Sequence, residues 1–332
     1  MPSTAITEAV PPRTVIDIGS WDVSVSLRKM LEDRFLAKPD GQRHLPTALL
    51  CDEVGLDMWH KCAALPEFYN KRDEINLLRH WADEITAHIP SGAVLIDLGA
   101  GDVNKIKPIL DQLESTQKDV TYYALDVSKE SLIKCMDILP ASYQHVKCYG
   151  LWGTFDDARV WSDRITAPRW FFSLGSIFGN DRFDIAVADL QKWSAIMRPG
   201  DRIFLGLDGC KDVEKVWLSY NDPQGHWHDF VRNGLHHSNR VLGHEWYRPE
   251  DWEITGVCGE TPTFRYVIKA KRDVSCKPLD LEIKKGETIL TTEWYKYGPE
   301  EMQEQFNHSG LQETARWESP SGPTWDYLLA AR

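Results

Sequence analysis

The sequence lacks closely spaced cysteines, clustered positive charge and long apolar runs. Its seven cysteines are scattered, which argues against a disulfide framework and against a zinc site of the usual spacing. Lysine and arginine number 38 against 50 acidic residues, so the formal net charge is −12, and no basic cluster runs beyond three residues. Nucleic acid and anionic membrane surfaces are therefore not expected as partners.

No apolar stretch approaches the length needed to span a membrane, and the first residues lack the basic-then-apolar pattern of a secretory signal. Together with the scattered cysteines, this predicts a soluble protein of the reducing cytoplasm. A chain of 332 residues is long enough for two domains with ample core.

The most informative stretch is residues 94–105, Val-Leu-Ile-Asp-Leu-Gly-Ala-Gly-Asp-Val-Asn-Lys. Its apolar start predicts a strand buried on both faces, and Gly99 and Gly101 then open a turn before a segment of helical spacing. A strand, glycine turn and helix form the first unit of a doubly wound nucleotide-binding fold. The glycines allow the backbone to approach a ligand, although the same pattern also occurs where a strand merely packs tightly against a helix.

The next predicted strand, residues 120–125, ends at Asp126. An acidic side chain at this position can accept hydrogen bonds from both hydroxyls of a ribose, and Asp126 is also a candidate N-cap for the following helix. The turn lacks the third glycine of the dinucleotide pattern, because Asn104 stands there, and Asp102 would repel a pyrophosphate. A cofactor with a ribose but no phosphate fits better, and S-adenosylmethionine (SAM) is the candidate.

Further buried strands at 145–151, 170–174 and 202–207 alternate with helices, which predicts an α/β fold with a parallel, Rossmann-type sheet. A strand at 287–295, a helix at 299–309 and a last strand from residue 325 are expected to close this sheet, with one strand antiparallel. The alternation of strands and helices ends at about residue 211. We therefore predict a cofactor-binding domain of residues 74–210 and 297–332, and a discontinuous substrate-binding domain of residues 14–73 and 211–296.

Four segments carry a family resemblance: Leu65-Pro-Glu-Phe-Tyr, Gly153-Thr-Phe, Leu174-Gly-Ser-Ile-Phe-Gly-Asn and Leu207-Asp-Gly-Cys-Lys-Asp. In this order they resemble the histidine Nα-methyltransferases of ergothioneine biosynthesis and the related fungal N-methyltransferases that act on tryptophan and dimethylallyltryptophan. The resemblance extends from about residue 45 to the end of the chain. It implies a class I methyltransferase fold, SAM as the cofactor, a small amino-acid substrate and a monomer.

The resemblance also implies roles for individual residues. Asn180 and Tyr220 match the pair that holds the amino and carboxylate end of the amino acid, and they are the predicted catalytic residues. Alternatively, Asn180 caps a loop, Tyr220 belongs to the core and Lys105 is a solvated residue of a first helical turn. The positions that match the family's cofactor contacts are Gly99, Lys105, Asp126, Thr154 and Phe155.

Departures from the histidine enzymes bear on the substrate. Phe68 and Cys51 stand where those enzymes have tyrosines, and their imidazole-binding Glu-x-Ser segment aligns with Thr292-Glu293-Trp294. A shift of one residue would return Glu293 to the glutamate position. Without polar partners for imidazole, and with Phe68 and Trp294 added, the predicted pocket is apolar and aromatic. The expected acceptor is the α-amino group of tryptophan or a tryptophan derivative, with histidine as the alternative.

Two other classes of function remain open at this stage. One is a binding module whose cofactor pocket is inactive. The other is a non-haem metal site built from a histidine-rich stretch, although His-x-His spacing is common in loops and no metal is expected. The histidines in this stretch are His226, His228, His236, His237 and His244.

Overall fold

The computed structural model describes residues 10–19, 23–36, 41–259 and 263–332. Within these ranges the strands are β1 (Val15–Asp17), β2 (Arg43–His44), β3 (Val94–Leu98), β4 (Val120–Asp126), β5 (Val146–Trp152), β6 (Arg169–Ser173), β7 (Arg202–Asp208), β8 (Trp252–Cys258), β9 (Thr263–Ala270), β10 (Val274–Cys276), β11 (Leu281–Ile283), β12 (Thr288–Tyr295), β13 (Leu311–Glu318) and β14 (Thr324–Ala331).

The α-helices of the same ranges are α1 (Val23–Leu36), α2 (Glu53–Ala63), α3 (Tyr69–His80), α4 (Ala82–His88), α5 (Lys107–Ser115), α6 (Lys129–Ile138), α7 (Phe155–Ser162), α8 (Phe183–Ser194), α9 (Val213–Tyr220), α10 (His226–Leu242) and α11 (Pro299–His308). None of these helices combines the length and the apolar character that crossing a membrane requires.

Eight strands form the main sheet, in the order β1-β5-β4-β3-β6-β7-β14-β13. The strands from β1 to β7 in this order pair in parallel, whereas β14 runs antiparallel to both β7 and β13. Every residue of β3 and β6 is buried, because helices cover both faces of the parallel part of the sheet. The predicted α/β Rossmann-type fold with one antiparallel strand is confirmed.

The prediction of how this sheet closes is wrong in one element. The strand predicted at 287–295 is β12, but it pairs with β9 and β2 in a separate four-stranded sheet, ordered β2-β12-β9-β8. The main sheet instead closes with β13 and β14, which follow α11. The sequence signal of β13 was weak because this edge strand buries only Leu311 and Trp317 among polar or half-buried neighbours.

Two helical segments before the main sheet are each divided. Trp81 separates α3 from α4. A short 3-10 turn at Thr47–Leu50 precedes α2. Asp52 separates them as the N-cap of α2, since its carboxylate accepts a hydrogen bond from Gly55 N at 2.8 Å.

The described residues fall into two compact units. The first comprises those of residues 1–20, 70–210 and 296–332 and contains the eight-stranded sheet, with one apolar core on each face. The second comprises those of residues 21–69 and 211–295. It contains the four-stranded sheet, the antiparallel pair β10–β11 and helices α1, α2, α9 and α10.

Candidate functional site

In the first unit, the turn after β3 needs glycine for steric reasons. Gly99 and Gly101 have φ angles of 73° and 46°, in the left-handed region that side chains disfavour. A Cβ at Gly99 would also lie 2.8 Å from Cδ1 of Ile177. The backbone N–H groups of Gly99 and Ala100 both donate to the carbonyl of Leu125 at 3.0 Å, so the turn is fixed to the end of β4.

Asp126 lies at the tip of β4 beside this turn and is 9% exposed. Its two carboxylate oxygens accept hydrogen bonds from the backbone N–H of Gly101 at 3.2 Å and of Ser128 at 2.9 Å. Burial raises the pKa of Asp126. A carboxylate has about four acceptor positions, so capacity remains for ligand hydroxyls. The N-cap of α6 is Ser128, whose hydroxyl accepts from Ser131 N, and the N-cap interpretation of Asp126 is therefore wrong.

Lys105 is buried rather than solvated, at 6% exposure. Its Nζ donates to the carbonyl oxygen of Leu174 at 3.0 Å, in the loop after β6. A Cβ at Gly175, where φ is 86°, would lie 2.7 Å from this Nζ, so a side chain there would displace the lysine. An ammonium group has three N–H donors, and Lys105 can therefore also bind an anionic group of a ligand.

Thr154 and Phe155 lie at the start of α7. The Thr154 hydroxyl accepts from the backbone N–H of Asp157 at 3.2 Å and donates to the Asp157 carboxylate at 2.7 Å. It therefore caps the helix. Phe155 packs against Phe178 with ring centroids 5.1 Å apart, and its ring approaches the position of a Cβ at Gly99 to 3.6 Å. The capped helix thus places an aromatic ring beside the glycine turn.

Asn180 belongs to the loop that begins at Leu174. Its side-chain Nδ2 donates to the carbonyl oxygen of Ser176 at 2.8 Å. The same loop contains Gly179, whose φ of 80° again requires glycine. This hydrogen bond supports the alternative interpretation that Asn180 stabilises the loop. It also fixes the direction of the Asn180 side chain.

In the second unit, six rings form one contact network, which we call the aromatic cluster. Tyr220 and Trp294 are stacked, with centroids 4.6 Å apart and planes 20° apart. Phe68 meets Tyr220 edge-on at 5.7 Å. The cluster thus unites three of the predicted substrate residues. Its members are Phe68, Tyr220, Trp227, Phe264, Tyr266 and Trp294.

The register of β12 decides which of its side chains face the cluster. After a bulge in the strand, Thr292 lies directly opposite Tyr266 on β9, and Trp294 lies opposite Phe264. Directly opposed residues of an antiparallel pair share one face, and both partner rings belong to the cluster. Thr292 and Trp294 therefore lie on the cluster face, and Glu293 lies on the other face.

Contacts of Glu293 agree with this assignment. Its carboxylate accepts a hydrogen bond from the hydroxyl of Tyr295, the next residue on the same face, at 3.1 Å. The shifted alignment, with a glutamate pointing at the substrate from β12, is thus not supported. The cluster face of this strand contains a threonine and a tryptophan instead.

Two polar atoms at the cluster have no hydrogen-bond partner among the described residues. They are the hydroxyl oxygen of Thr292 and the indole nitrogen of Trp227, and both side chains are at least 97% buried. An unsatisfied buried polar group costs about 1–3 kcal/mol. Both atoms are therefore suited to bind a polar group of a ligand. No motif in the sequence marks Trp227 as a site residue.

The histidine-rich stretch is mostly the helix α10. His226 Nδ1 lies 2.8 Å from the carboxylate of Asp222, whose oxygens also accept from the backbone N–H groups of His226 and Trp227. Within the described ranges, no three His, Cys, Asp or Glu side chains are grouped in a way that would hold a metal ion. The stretch thus forms most of helix α10 and the hydrogen bonds at its start.

A family model described as a histidine-specific, SAM-dependent methyltransferase matches residues 27–331. The chain belongs to this methyltransferase family. The predicted family resemblance, the enzyme class and SAM as cofactor are thereby confirmed. The family includes N-methyltransferases with different amino-acid acceptors, so membership alone does not define the acceptor of this methyltransferase.

Individual relatives illustrate this range. The methyltransferase is 34% identical over 308 residues to ergothioneine biosynthesis protein 1 of Neurospora crassa, covering 91% of this chain but only 35% of that protein. It is 29% identical over 337 aligned residues to the 4-dimethylallyltryptophan N-methyltransferase easF of Claviceps purpurea, and the match covers 93% of this chain and 96% of that protein. It is 29% identical over 322 residues to the N-methyltransferase imqF of Aspergillus flavus, and the match covers 94% of this chain and 86% of that protein.

Proposed function

We propose that this methyltransferase methylates the α-amino group of L-tryptophan or a tryptophan derivative, in successive transfers. The observation that carries the proposal is the stack of Trp294 on Tyr220 within the aromatic cluster, on the strand face where the histidine enzymes present a glutamate and a serine. Each favourable aromatic pair contributes about 0.5–1.5 kcal/mol beyond burial of apolar area. An indole gains these contacts, whereas an imidazole loses its charged hydrogen-bond partner.

For the cofactor, the first unit offers matching groups. The glycine turn at Gly99 permits close approach, and the unused acceptor positions of Asp126 suit the two hydroxyls of a ribose. The remaining donors of Lys105 suit a carboxylate. We propose that Phe155 lies against the adenine and that Thr154 contributes by capping its helix. When bound, SAM supplies a methyl group on a positively charged sulfur.

At the acceptor, the protein has to present a neutral amine. The α-amino group of an amino acid has a pKa near or above ~8 and is mostly protonated at neutral pH, so one proton must leave to water before each transfer. Bound SAM would supply its methyl group to the nitrogen lone pair, and S-adenosylhomocysteine would be the leaving product. We propose that Asn180 and Tyr220 orient this lone pair, and such alignment accounts for much of the rate.

Histidine remains the second candidate acceptor, and one observation favours it. The buried hydroxyl of Thr292 has no partner, and it can either donate to or accept from an imidazole nitrogen. The Neurospora relative is named for ergothioneine biosynthesis. A single threonine replaces a charged partner poorly, however, and the same hydroxyl can accept the N–H of an indole.

The double substitution Thr292→Glu with Trp294→Ser tests the proposal by restoring the Glu-x-Ser segment. We expect the ratio of kcat/KM for tryptophan to kcat/KM for histidine to fall by about 100-fold, because two polar partners replace one aromatic contact. Tyr295→Ser, on the other face of β12, is the matched control. A ratio that stays at the wild-type value in the folded double variant would overturn the assigned role of this face.

A further inference from the structure

Two buried carboxyl groups of the first unit lie beside Gly206 of β7. They are Glu74 of α3, which is 1% exposed, and Asp326 of β14, which is 0% exposed. A Cβ built on Gly206 would be 2.2 Å from Oε1 of Glu74 and 2.7 Å from Oδ1 of Asp326. The two carboxyl groups are therefore within about 5 Å of each other, and only glycine leaves room for both.

The two groups differ in what surrounds them. Burial raises the pKa of Glu74, while the charge of Lys105 and a hydrogen bond from Gly175 N to Oε1, at 2.7 Å, act against this rise. Only Oε2 of Glu74 lacks a partner among the described residues. Neither carboxyl oxygen of Asp326 has a hydrogen-bond partner among the described residues. Burial, followed by the neighbouring Glu74 carboxylate, raises the pKa of Asp326 well above its usual range.

Other charged groups near the pair do not change this difference between the surroundings of Glu74 and Asp326. Asp208 acts on Glu74 as a like charge, but it is itself paired with Lys296 Nζ at 2.7 Å. Asp97 accepts a hydrogen bond from the Tyr122 hydroxyl at 2.9 Å, and burial raises its pKa to about 6. Two like charges in a dry site disfavour each other, so one proton stays within the pair. Glu74 is the partner that accepts a hydrogen bond, from Gly175 N, so we assign the proton to Asp326.

We propose that Glu74 is a positioning residue for the cofactor lysine, acting through Gly175 and Lys105, while Asp326 retains the single proton of the carboxyl pair. The inference rests on the proposed contact of Lys105 with SAM. Three contacts link these groups. Glu74 accepts a hydrogen bond from Gly175 N, and the carbonyl of the preceding residue, Leu174, accepts one from Lys105 Nζ. A Cβ at Gly175 would lie against the same Nζ.

Glu74→Gln separates charge from shape, since the amide oxygen can still accept from Gly175 N. We expect the Kd for S-adenosylhomocysteine, measured by calorimetry, to rise about tenfold or more, because a buried lysine loses its compensating charge. The KM for SAM should rise with it, whereas kcat at saturating SAM should change little. Glu304→Gln, an exposed carboxylate of α11 in the same unit, is the matched control and should bind like wild type.

A double-mutant cycle with Lys105→Met excludes a merely structural role. If Glu74 acts through the lysine, adding Glu74→Gln to Lys105→Met should weaken binding no further. Independent effects that multiply in the double variant, or wild-type binding by folded Glu74→Gln, would overturn the proposal. Both measurements use only the cofactor product, so they stand whichever amino acid is the acceptor.

Asp326→Asn tests where the proton lies. A group whose pKa is raised on folding contributes stability below its unfolded pKa, and this contribution is lost as the pH rises toward the folded pKa. Asp326→Asn should therefore melt near the wild-type temperature at about pH 4 and above it at about pH 8. A variant no more stable than wild type at the higher pH would contradict the assignment of the proton to Asp326.

Discussion

The two units of this methyltransferase hold their candidate ligand-binding groups in different ways. In the first, the side chains that we propose for the cofactor are held by backbone groups: Asp126 by two N–H groups, and Lys105 by a carbonyl. In the second, side chains such as Tyr220 and Trp294 hold one another by ring contact. A side chain held by backbone groups keeps its position when neighbouring side chains are substituted, whereas the packing of an aromatic cluster depends on the identity of each ring.

The sharpest way to break this comparison is Asp126→Asn. Hydrogen bonds from ribose hydroxyls to a charged acceptor contribute about 1.5–3 kcal/mol each, so S-adenosylhomocysteine should bind about 100-fold more weakly or worse. Calorimetry measures the change. Asp137→Asn, exposed on α6, is the control. Wild-type affinity in Asp126→Asn would remove this carboxylate from the cofactor site.

Next in size is Asn180→Ala. Loss of a residue that orients the reacting amine should lower kcat by about 100-fold or more, while binding of S-adenosylhomocysteine survives. Single-turnover methylation with labelled SAM gives the rate, and calorimetry gives the binding. If turnover stays normal, the side chain serves only the loop hydrogen bond to Ser176.

Trp294→Ala tests the aromatic cluster of the second unit. The loss of stacking and apolar contact should raise KM for tryptophan about tenfold and leave the Kd for S-adenosylhomocysteine unchanged. Tyr295→Ala, the neighbouring aromatic residue on the opposite face, should have a much smaller effect on KM. Equal effects of the two variants on KM would mean that the cluster face of β12 does not bind the acceptor.

The smallest expected effect belongs to Thr154→Ala. Removing this helix cap should lower the free energy of unfolding by about 1 kcal/mol in a urea titration. Ser128→Ala, which removes the cap of α6, provides a scale for comparison. Weakened cofactor binding with unchanged stability would instead indicate that the Thr154 hydroxyl serves the cofactor directly.

The sequence predicted most of the first unit because its features are local. Apolar runs such as Val94–Leu98, the glycines of the turn and the acidic end of β4 follow from steric and hydrogen-bonding rules that act over a few residues. The strand at 287–295 was found but assigned to the wrong sheet. Strand pairing depends on partners far away in sequence, and an alternating pattern does not identify them.

The candidate site was predictable only where a motif marked it. Tyr220 meets Phe68 edge-on and stacks on Trp294, although these residues lie far apart in sequence, and the family resemblance alone suggested that they share a site. Neither Glu74 nor Trp227 was predicted. A glutamate within an ordinary helix and a tryptophan among fourteen carry no local signal, since their importance comes from burial beside unsatisfied or charged groups.

The most direct test of the central claim is a competition assay. The full-length wild-type enzyme is given labelled SAM with equal concentrations of L-tryptophan, 4-dimethylallyltryptophan and L-histidine, and the products are separated by mass spectrometry. Our account predicts that the label enters N-methylated tryptophan or its derivative, with histidine products a minor fraction. Label found mainly in methylated histidine would contradict it.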